Sequence, residues 1–206
     1  MAPGVGKTYR MLREGQAEVA AGSDVVIGYL EPHNRPETSA QAADLEMAPR
    51  IMIEHGSASL PEMDLDAVLV RAPEIVLVDE LAHTNAAGSG HEKRYEDVEV
   101  LLAHGINVIS TVNVQHLESL NDQVADLTGV RVRETLPDAV LKKADEVVLI
   151  DQTPEDLIES ACAKARSTPS NASRQRSAPS SRSKTSPPCA KSPCGRWPKR
   201  SARSGC

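Results

Sequence analysis

The hydrophobic positions of this chain form two patterns that alternate along its first 151 residues. Short runs in which nearly every residue is apolar are typical of buried strands, and apolar residues three or four positions apart are typical of helices that cover a sheet. The strand-like runs lie at residues 24–31, 50–54, 73–80, 106–113 and 146–151, and the helix-like segments lie at residues 7–21, 37–45, 63–72, 95–104 and 115–128. This alternation predicts an α/β fold with a mainly parallel sheet between two layers of helices.

The chain opens with a sequence typical of a phosphate-binding loop. Residues 1–8 read MAPGVGKT, which gives the end of the pattern G-x-x-x-x-G-K-S/T but places Met1 where the pattern has its first glycine. Glycines let backbone N–H groups approach phosphate oxygens, the lysine contacts the β- and γ-phosphates, and the threonine binds Mg²⁺. The alternative is a glycine-rich helix start without a ligand. The residues expected to bind ATP and Mg²⁺ here are Gly4, Val5, Gly6, Lys7 and Thr8.

In P-loop folds this loop follows the end of a buried strand, and no residues precede Met1 to form one. The helix at residues 7–21 follows the loop directly, so that its N-terminus adds a favourable dipole for phosphate. We therefore expect a three-layer α/β/α domain of the P-loop NTPase type whose first strand is missing.

A second motif lies at the end of the strongest strand-like run. The sequence IVLVDE ends in Asp79 and Glu80, and an acidic residue at the carboxyl end of a buried strand is where P-loop NTPases hold Mg²⁺. We expect Asp79 to bind the metal together with Thr8, and Glu80 to act as the catalytic base that orients water. The alternative is that acidic residues end this strand only because the exposed loop begins there.

Polar residues also end the strand-like run at residues 106–113. Ligands of open α/β sheets bind beyond the carboxyl ends of the strands, so Thr111 and Asn113 are further candidates for nucleotide binding. The alternative for Asn113 is that it caps the helix that follows. His33 and His116 are expected to be ordinary histidines, and we predict no metal site other than the one for Mg²⁺.

Charge and composition divide the chain near residue 162. Residues 162–206 contain 11 of the 23 Lys and Arg residues, none of the 29 Asp and Glu residues and all four cysteines, whereas residues 1–161 carry a net charge of −17. A segment so poor in aliphatic residues has almost nothing to bury in a core. We therefore predict a folded domain at residues 1–161 and a disordered, basic, Ser/Pro/Arg-rich tail at residues 162–206.

Three interpretations of the tail are open: a basic arm that binds nucleic acid, a disordered linker, and out-of-frame translation of GC-rich DNA. The third is favoured, because aliphatic and acidic residues disappear together and abruptly. The charge of −17 on residues 1–161 repels nucleic acid. We therefore expect no nucleic-acid partner.

Long stretches of the sequence resemble one family. APGVGKTYRML, DVVIGYLEPHNRPET and the run from DELAHTN to NVQHLESLND are similar to the N-terminal cytoplasmic domain of the KdpD family, the osmosensitive potassium-channel sensor histidine kinases. The resemblance covers about residues 2–160 and implies an ATP-binding regulatory domain of a two-component sensor. The site residues that it implies are Gly4, Gly6, Lys7, Thr8, Asp79 and Glu80.

The resemblance also implies partners. Full-length members are anchored in the bacterial inner membrane, join this domain to kinase domains and signal to a response regulator. This sequence shows no run near the roughly 18 apolar residues of a membrane span and no phospho-acceptor or kinase glycine motif, so we expect the chain itself to be cytoplasmic and to lack the kinase core. The alternative function is a stand-alone P-loop NTPase or small-molecule kinase, and a nucleotide is the partner in both cases.

Overall fold

A computed structural model gives the fold of residues 5–31, 36–55 and 58–151. These residues belong to the first of two units, Met1–Ser167. The second unit, Thr168–Cys206, lies outside the described residues, as do the whole of the predicted tail, Gly4 and His33.

Helices and short strands alternate through the described residues. The helices are α1 (Lys7–Ala21), α2 (Pro36–Ala42), α3 (Leu65–Arg71), α4 (Arg94–Ala103), α5 (Glu118–Thr128) and α6 (Asp138–Lys142), with a 3₁₀ turn at Val114–His116. The strands are β1 (Val25–Tyr29), β2 (Glu46–Met47), β3 (Arg50–His55), β4 (Ala58–Met63), β5 (Ile75–Val78) and β6 (Asn107–Ser110). Among these described helices, none is both long and apolar enough to cross a bilayer.

Four parallel strands form the central sheet in the order β2–β1–β5–β6. Val76 of β5 is in register with Val26 of β1 on one side and with Val108 of β6 on the other. Because the strands are parallel, their carboxyl ends lie at one edge of the sheet. Asp79 and Thr111 follow β5 and β6 directly, so two of the predicted site residues lie at this edge.

Strands β3 and β4 form a separate antiparallel hairpin in which Ile53 pairs with Leu60. The strand predicted at residues 50–54 is therefore confirmed, but it does not join the parallel sheet. Its partner β4 was not predicted, because Pro61 interrupts the strand pattern and proline is tolerated only where a strand has an open edge.

Apolar side chains fill both faces of the central sheet. Alternate residues of β1 and β5 point to opposite faces, and one face packs against α3 and α4 while the other packs against α1 and α2. The first core includes Val26, Val68, Val76, Val78, Val98 and Leu101. The second core includes Met11, Leu12, Ile27, Ala42, Leu45 and Leu77. The predicted α/β/α layering with a mainly parallel sheet is thus confirmed.

Helix α1 lies very close to the sheet. A Cβ atom at Gly15 would lie 2.5 Å from Cδ1 of Leu77, so the absence of a side chain lets the helix axis approach β5. Leu12, one turn earlier, is completely buried. This packing fixes the start of α1 relative to the carboxyl end of β5.

Most predicted elements are confirmed with shifts of a few residues at their ends. The helix predicted at residues 63–72 begins at Leu65, because Met63 ends β4 and the carboxylate of Asp64 caps the helix by accepting the Ala67 N–H at 2.9 Å. The helix predicted at residues 115–128 is divided into the 3₁₀ turn and α5.

The strand predicted at residues 146–151 is wrong. These residues do not adopt strand structure, and Val147, Val148 and Leu149 are at least half exposed. The segment has the composition of a strand, but a strand also needs a neighbouring edge that pairs with its backbone groups. In the described part of the chain the sheet ends at β6, which pairs only with β5.

Candidate functional site

The turn into α1 is the first part of the site. Val5 is buried, and Gly6 adopts a φ of 89°, a left-handed conformation that glycine takes without strain. The Gly6 carbonyl accepts the Arg10 N–H at 2.9 Å, which closes the first helical turn. Lys7 is the first residue of α1. The N–H groups of this turn have no partners further back in the helix and are suited to bind an anion.

Thr8 and Asp79 meet although they lie 71 positions apart in the sequence. The Thr8 hydroxyl Oγ1 lies 3.2 Å from Oδ1 and 3.1 Å from Oδ2 of the Asp79 carboxylate, to which it donates. Asp79 is only 1% exposed. The structure thus brings together the two residues that the sequence predicted as metal ligands, one from each motif.

Thr111 joins this pair from the end of β6. Its hydroxyl donates to Asp79 Oδ1 at 2.5 Å and accepts the Glu80 N–H at 3.1 Å. Its carbonyl accepts the Leu81 N–H at 2.9 Å. The Thr111 hydroxyl therefore has a fixed orientation, and the buried Asp79 carboxylate accepts hydrogen bonds from two hydroxyl groups.

Glu80 adopts an unusual backbone conformation. Its φ is 55°, in the left-handed region that residues with a Cβ atom seldom occupy. For such residues this conformation costs about 1–2 kcal/mol, and such strain clusters at functional sites. The strain lies at the residue directly after Asp79.

Asn113 has no described hydrogen bond to this group. It stands at the N-cap position of the 3₁₀ turn, where its carbonyl accepts the His116 N–H at 3.0 Å but its side chain makes no capping hydrogen bond. Its Oδ1 is buried without a hydrogen-bond partner among the described residues. Because buried oxygens of this kind ordinarily have a partner, Asn113 stays a candidate for ligand binding.

The structure adds three residues to the site that the sequence did not point to: Arg94, Glu62 and Tyr29. Arg94 is completely buried, and it donates from Nη1 to the Asp79 carbonyl at 3.2 Å and from Nη2 to Glu62 Oε2 at 3.1 Å. Its guanidinium carbon lies 3.7 Å from the centroid of the Tyr29 ring. An arginine at a helix start is ordinarily exposed, and Glu62 lies in the unpredicted strand β4, so the sequence carried no signal for this arrangement.

The burial of Tyr29 changes the acidity of its phenol. Tyr29 is 4% exposed, and its hydroxyl donates to Glu31 Oε2 at 2.8 Å. Burial, and then this hydrogen bond, raise the pKa of Tyr29 to about 12, while the positive charge of Arg94 acts in the opposite direction. The phenol is therefore protonated at neutral pH and remains a hydrogen-bond donor.

The oxygen atoms of Thr8 and Asp79 fit a magnesium ion. Mg²⁺ prefers carboxylate, hydroxyl and water oxygens, and in nucleotide sites one or two protein ligands hold it while phosphates and water complete the shell. The hydroxyl and the carboxylate lie within 3.2 Å of each other, at the start of α1. In the described part of the chain no group of three or more His, Cys, Asp or Glu residues has a metal-binding arrangement.

Comparisons with known proteins give consistent matches. Residues 1–175 match the family described as "KdpD: Osmosensitive K+ channel His kinase sensor domain". A KdpD sensor protein of Synechocystis is 61% identical over 160 residues, which are 77% of this chain and 43% of that relative. The KdpD sensor proteins of Mycobacterium tuberculosis and Escherichia coli are each 51% identical, over 76% and 75% of this chain and over 18% and 17% of the relatives.

The matches cover most of this chain but a smaller part of each relative. The chain spans less than half of the Synechocystis protein and less than a fifth of the other two. The matched residues 1–175 include every described residue of the site, from Val5 to Asn113. The chain therefore belongs to the KdpD family of osmosensitive K⁺-channel histidine kinase sensor domains.

Proposed function

We propose that this chain is the ATP-binding regulatory domain of a bacterial two-component sensor histidine kinase that responds to potassium or osmotic stress. Membership of the family supplies the context of a sensor kinase. The contact between Thr8 and Asp79 carries the nucleotide part of the proposal, because it joins the end of the glycine-containing loop to the carboxyl end of β5.

Each residue of the site has a role that its chemistry supports. The N–H groups of residues 4–8 bind phosphate oxygens, aided by the positive end of the α1 dipole. Lys7 places a positive charge at the β- and γ-phosphates. Thr8 and Asp79 hold Mg²⁺, which neutralises part of the phosphate charge when it is bound.

Two neighbouring residues orient this group. The hydrogen bond of 2.5 Å from Thr111 fixes the rotation of the Asp79 carboxylate. Asn113 offers a buried oxygen without a partner among the described residues, which suits it to accept a hydrogen bond from the nucleotide or from a water molecule bound to it.

The regulatory role places the domain inside a longer signalling protein. We propose that it acts on membrane-anchored kinase domains, and through them on a cognate response regulator, because the relatives are named as sensor proteins and are more than twice as long as the region matched here. A ligand changes such an output only as far as it binds one conformation more tightly than another. Nucleotide occupancy of the site is the signal that the domain contributes.

A stand-alone NTPase or small-molecule kinase is the second candidate function. The φ of 55° at Glu80 favours it, because strained residues are common where chemistry takes place. Phosphate release from ATP separates the two functions. An independent NTPase releases phosphate at about 1 s⁻¹ or faster, and a small-molecule kinase transfers it to an added acceptor at a similar rate, whereas a regulatory site does either far more slowly or not at all.

Binding of a fluorescent ATP analogue to the 206-residue chain tests the proposal. We expect saturable binding with a Kd below about 1 mM that tightens at least ~10-fold on adding Mg²⁺. Thr8→Ala should remove most of the tightening, because the hydroxyl ligand is lost. The matched control is Thr128→Ala, at an exposed threonine in α5. A chain that is folded but shows no saturable binding contradicts the proposal.

A further inference from the structure

The peptide group between Asp79 and Glu80 is held from both sides. Its carbonyl oxygen accepts a hydrogen bond from Nη1 of Arg94 at 3.2 Å. Its N–H donates to Oγ1 of Thr111 at 3.1 Å. Because both polar atoms of the peptide group are fixed, its plane cannot rotate without breaking a hydrogen bond in a buried environment.

The arginine side of this arrangement is anchored firmly. The planar guanidinium of Arg94 donates to the Asp79 carbonyl and to Glu62 at the same time, while its face lies against the Tyr29 ring. Glu62 is fixed in turn, because its Oε1 accepts the Ala86 N–H at 2.8 Å. The planar guanidinium has several N–H donors in a rigid arrangement and can bind both partners at once. The ammonium of a flexible lysine side chain does not reproduce this arrangement.

This burial of Arg94 is not the arrangement that stability alone favours. The side chain is fully buried, and its Nε has no hydrogen-bond partner among the described residues. A buried charge with an unsatisfied donor carries a desolvation cost that an apolar side chain of similar size avoids. The observation points to a role for the guanidinium beyond filling space.

The backbone of Glu80 shows what that role is. Its φ of 55° depends on the orientation of the peptide group that precedes it, and this is the group held by Arg94 and Thr111. A glutamate left to itself returns to negative φ. The two hydrogen bonds hold the preceding peptide group in the orientation that this φ requires, and the Thr111 carbonyl holds the following peptide group through the Leu81 N–H.

We propose that Arg94 is a positioning residue: together with Thr111 it clamps the peptide group between Asp79 and Glu80 and so keeps Glu80 in its left-handed conformation next to the Thr8–Asp79 pair. The effect of this clamp on nucleotide chemistry rests on the proposed function. The existence of the clamp does not depend on that function. Through Glu62 of β4, the same arginine also ties the hairpin to the site.

The variant that tests the clamp is Arg94→Lys, which keeps a positive charge beside Glu62 but cannot reproduce the fork. The matched control is Arg50→Lys. Arg50 lies 5.0 Å from the centroid of the same Tyr29 ring and donates to the Leu30 carbonyl, but it has no described contact with the clamped peptide group.

The first readout uses the full chain without nucleotide. In Arg94→Lys, amide hydrogen exchange at Glu80 should become at least ~10-fold faster. NMR coupling constants that depend on φ should show that φ of Glu80 moves from positive toward negative values. In Arg50→Lys both should stay as in the parent chain. If Arg94→Lys does not fold, Thr111→Val tests the same peptide group from its N–H side, with the same change expected.

The second readout is a double-mutant cycle with Glu80→Gly, because glycine needs no clamp at positive φ. Arg94→Lys should raise the unfolding equilibrium constant by a factor at least ~3 smaller in the parent chain than in the Glu80→Gly background, because only Glu80 regains strain energy when the clamp is lost. Equal factors in both backgrounds, or unchanged exchange at Glu80 in a folded variant, overturn the proposal.

Measurements with ATP distinguish this inference from the proposed function. Arg94→Lys should slow any phosphate release by at least ~10-fold while changing the Kd for ATP less than ~3-fold. If the parent chain binds no ATP, the proposed function fails, and the exchange and cycle measurements still decide whether the clamp exists.

Discussion

Thr8 at the start of α1 and Asp79 after β5 share a hydrogen bond between a hydroxyl and a carboxylate, with oxygen–oxygen distances of 3.2 and 3.1 Å. The contact depends on α1 packing closely against β5, which Gly15 permits. It places a hydroxyl and a carboxylate, both hard oxygen ligands, at the carboxyl edge of a parallel sheet, where ligands of such sheets bind. The account of the site rests on this pairing of the two sequence motifs.

Asp79→Asn should weaken the dependence of ATP binding on Mg²⁺. The substitution removes the negative charge that holds the metal but keeps the shape of the side chain. We expect the Kd for ATP with Mg²⁺ to rise at least ~10-fold, equivalent to about 1.4 kcal/mol, with a change below ~3-fold when Mg²⁺ is removed. Fluorescence titration with and without a chelator measures both.

The control for this prediction is Asp97→Asn. Asp97 is another buried carboxylate, on α4, but its partners are His91 and Asn85. Asp97→Asn should leave the Mg²⁺ dependence of ATP binding unchanged, provided that the variant is folded. An equal loss in both variants would show that Asp79 acts through stability and not through the metal.

Glu80→Gly should stabilise the fold slightly. Relief of the left-handed backbone gains about 1–2 kcal/mol, and the greater freedom of glycine in the unfolded chain costs about 0.5–1 kcal/mol. The net expectation is stabilisation by about 0.5–1 kcal/mol in urea unfolding, together with loss of any phosphate release.

Ala72 provides the matched comparison, because it also has a positive φ, of 47°, as the cap of α3 and away from the site. Ala72→Gly should give a similar gain in stability and leave nucleotide binding and phosphate release unchanged. If Glu80→Gly destabilises the fold while Ala72→Gly stabilises it, the backbone of Glu80 is not strained.

Tyr29 should make the stability of the fold depend on pH in the alkaline range. The pKa of Tyr29 is raised to about 12 in the folded chain, against about 10 when unfolded, so the folded state holds the proton more tightly. The stabilisation that the protonated phenol supplies is fully present below about pH 10. As the pH rises toward about 12 it is lost, and the free energy of unfolding falls by about 2–3 kcal/mol in total.

Urea unfolding at a series of pH values measures this effect, and absorbance of the phenolate follows the titration. Tyr29→Phe should give a flatter dependence above about pH 10, although it is less stable at neutral pH because the hydrogen bond to Glu31 is lost. Tyr9→Phe, at an exposed tyrosine, is the control. Identical alkaline slopes for Tyr29→Phe and the parent chain would refute the assignment.

The elements that the sequence predicted well are those whose structure is determined locally or by burial on both faces. The run PEIVLVDE gave β5 with Asp79 at its end, and the strand before Thr111 was found in the same way. In a parallel sheet the end of a buried strand already gives the location of a site. Asp79 and Thr111 lie close together at one edge of the sheet because β5 and β6 are neighbouring strands.

The parts that sequence reasoning missed depend on distant partners. Residues 146–151 have a strand composition but no paired edge in the described fold, whereas β4 forms despite Pro61 because β3 lies beside it. The contact of Arg94 with Glu62 joins α4 to that hairpin. No local pattern encodes the burial of an arginine by residues that lie 32 positions away.

The most direct test of the central claim is calorimetric titration of ATP with Mg²⁺ into the full chain and into Lys7→Ala, because Lys7 is the residue of the loop that supplies charge to the phosphates. The control is Lys143→Ala, whose ammonium pairs with Glu99 on the surface. We predict saturable binding of one nucleotide in the parent and control chains, and a Kd at least ~10-fold higher in folded Lys7→Ala. Equal affinity in Lys7→Ala and the parent chain, or no saturable binding in a folded parent chain, would contradict the account.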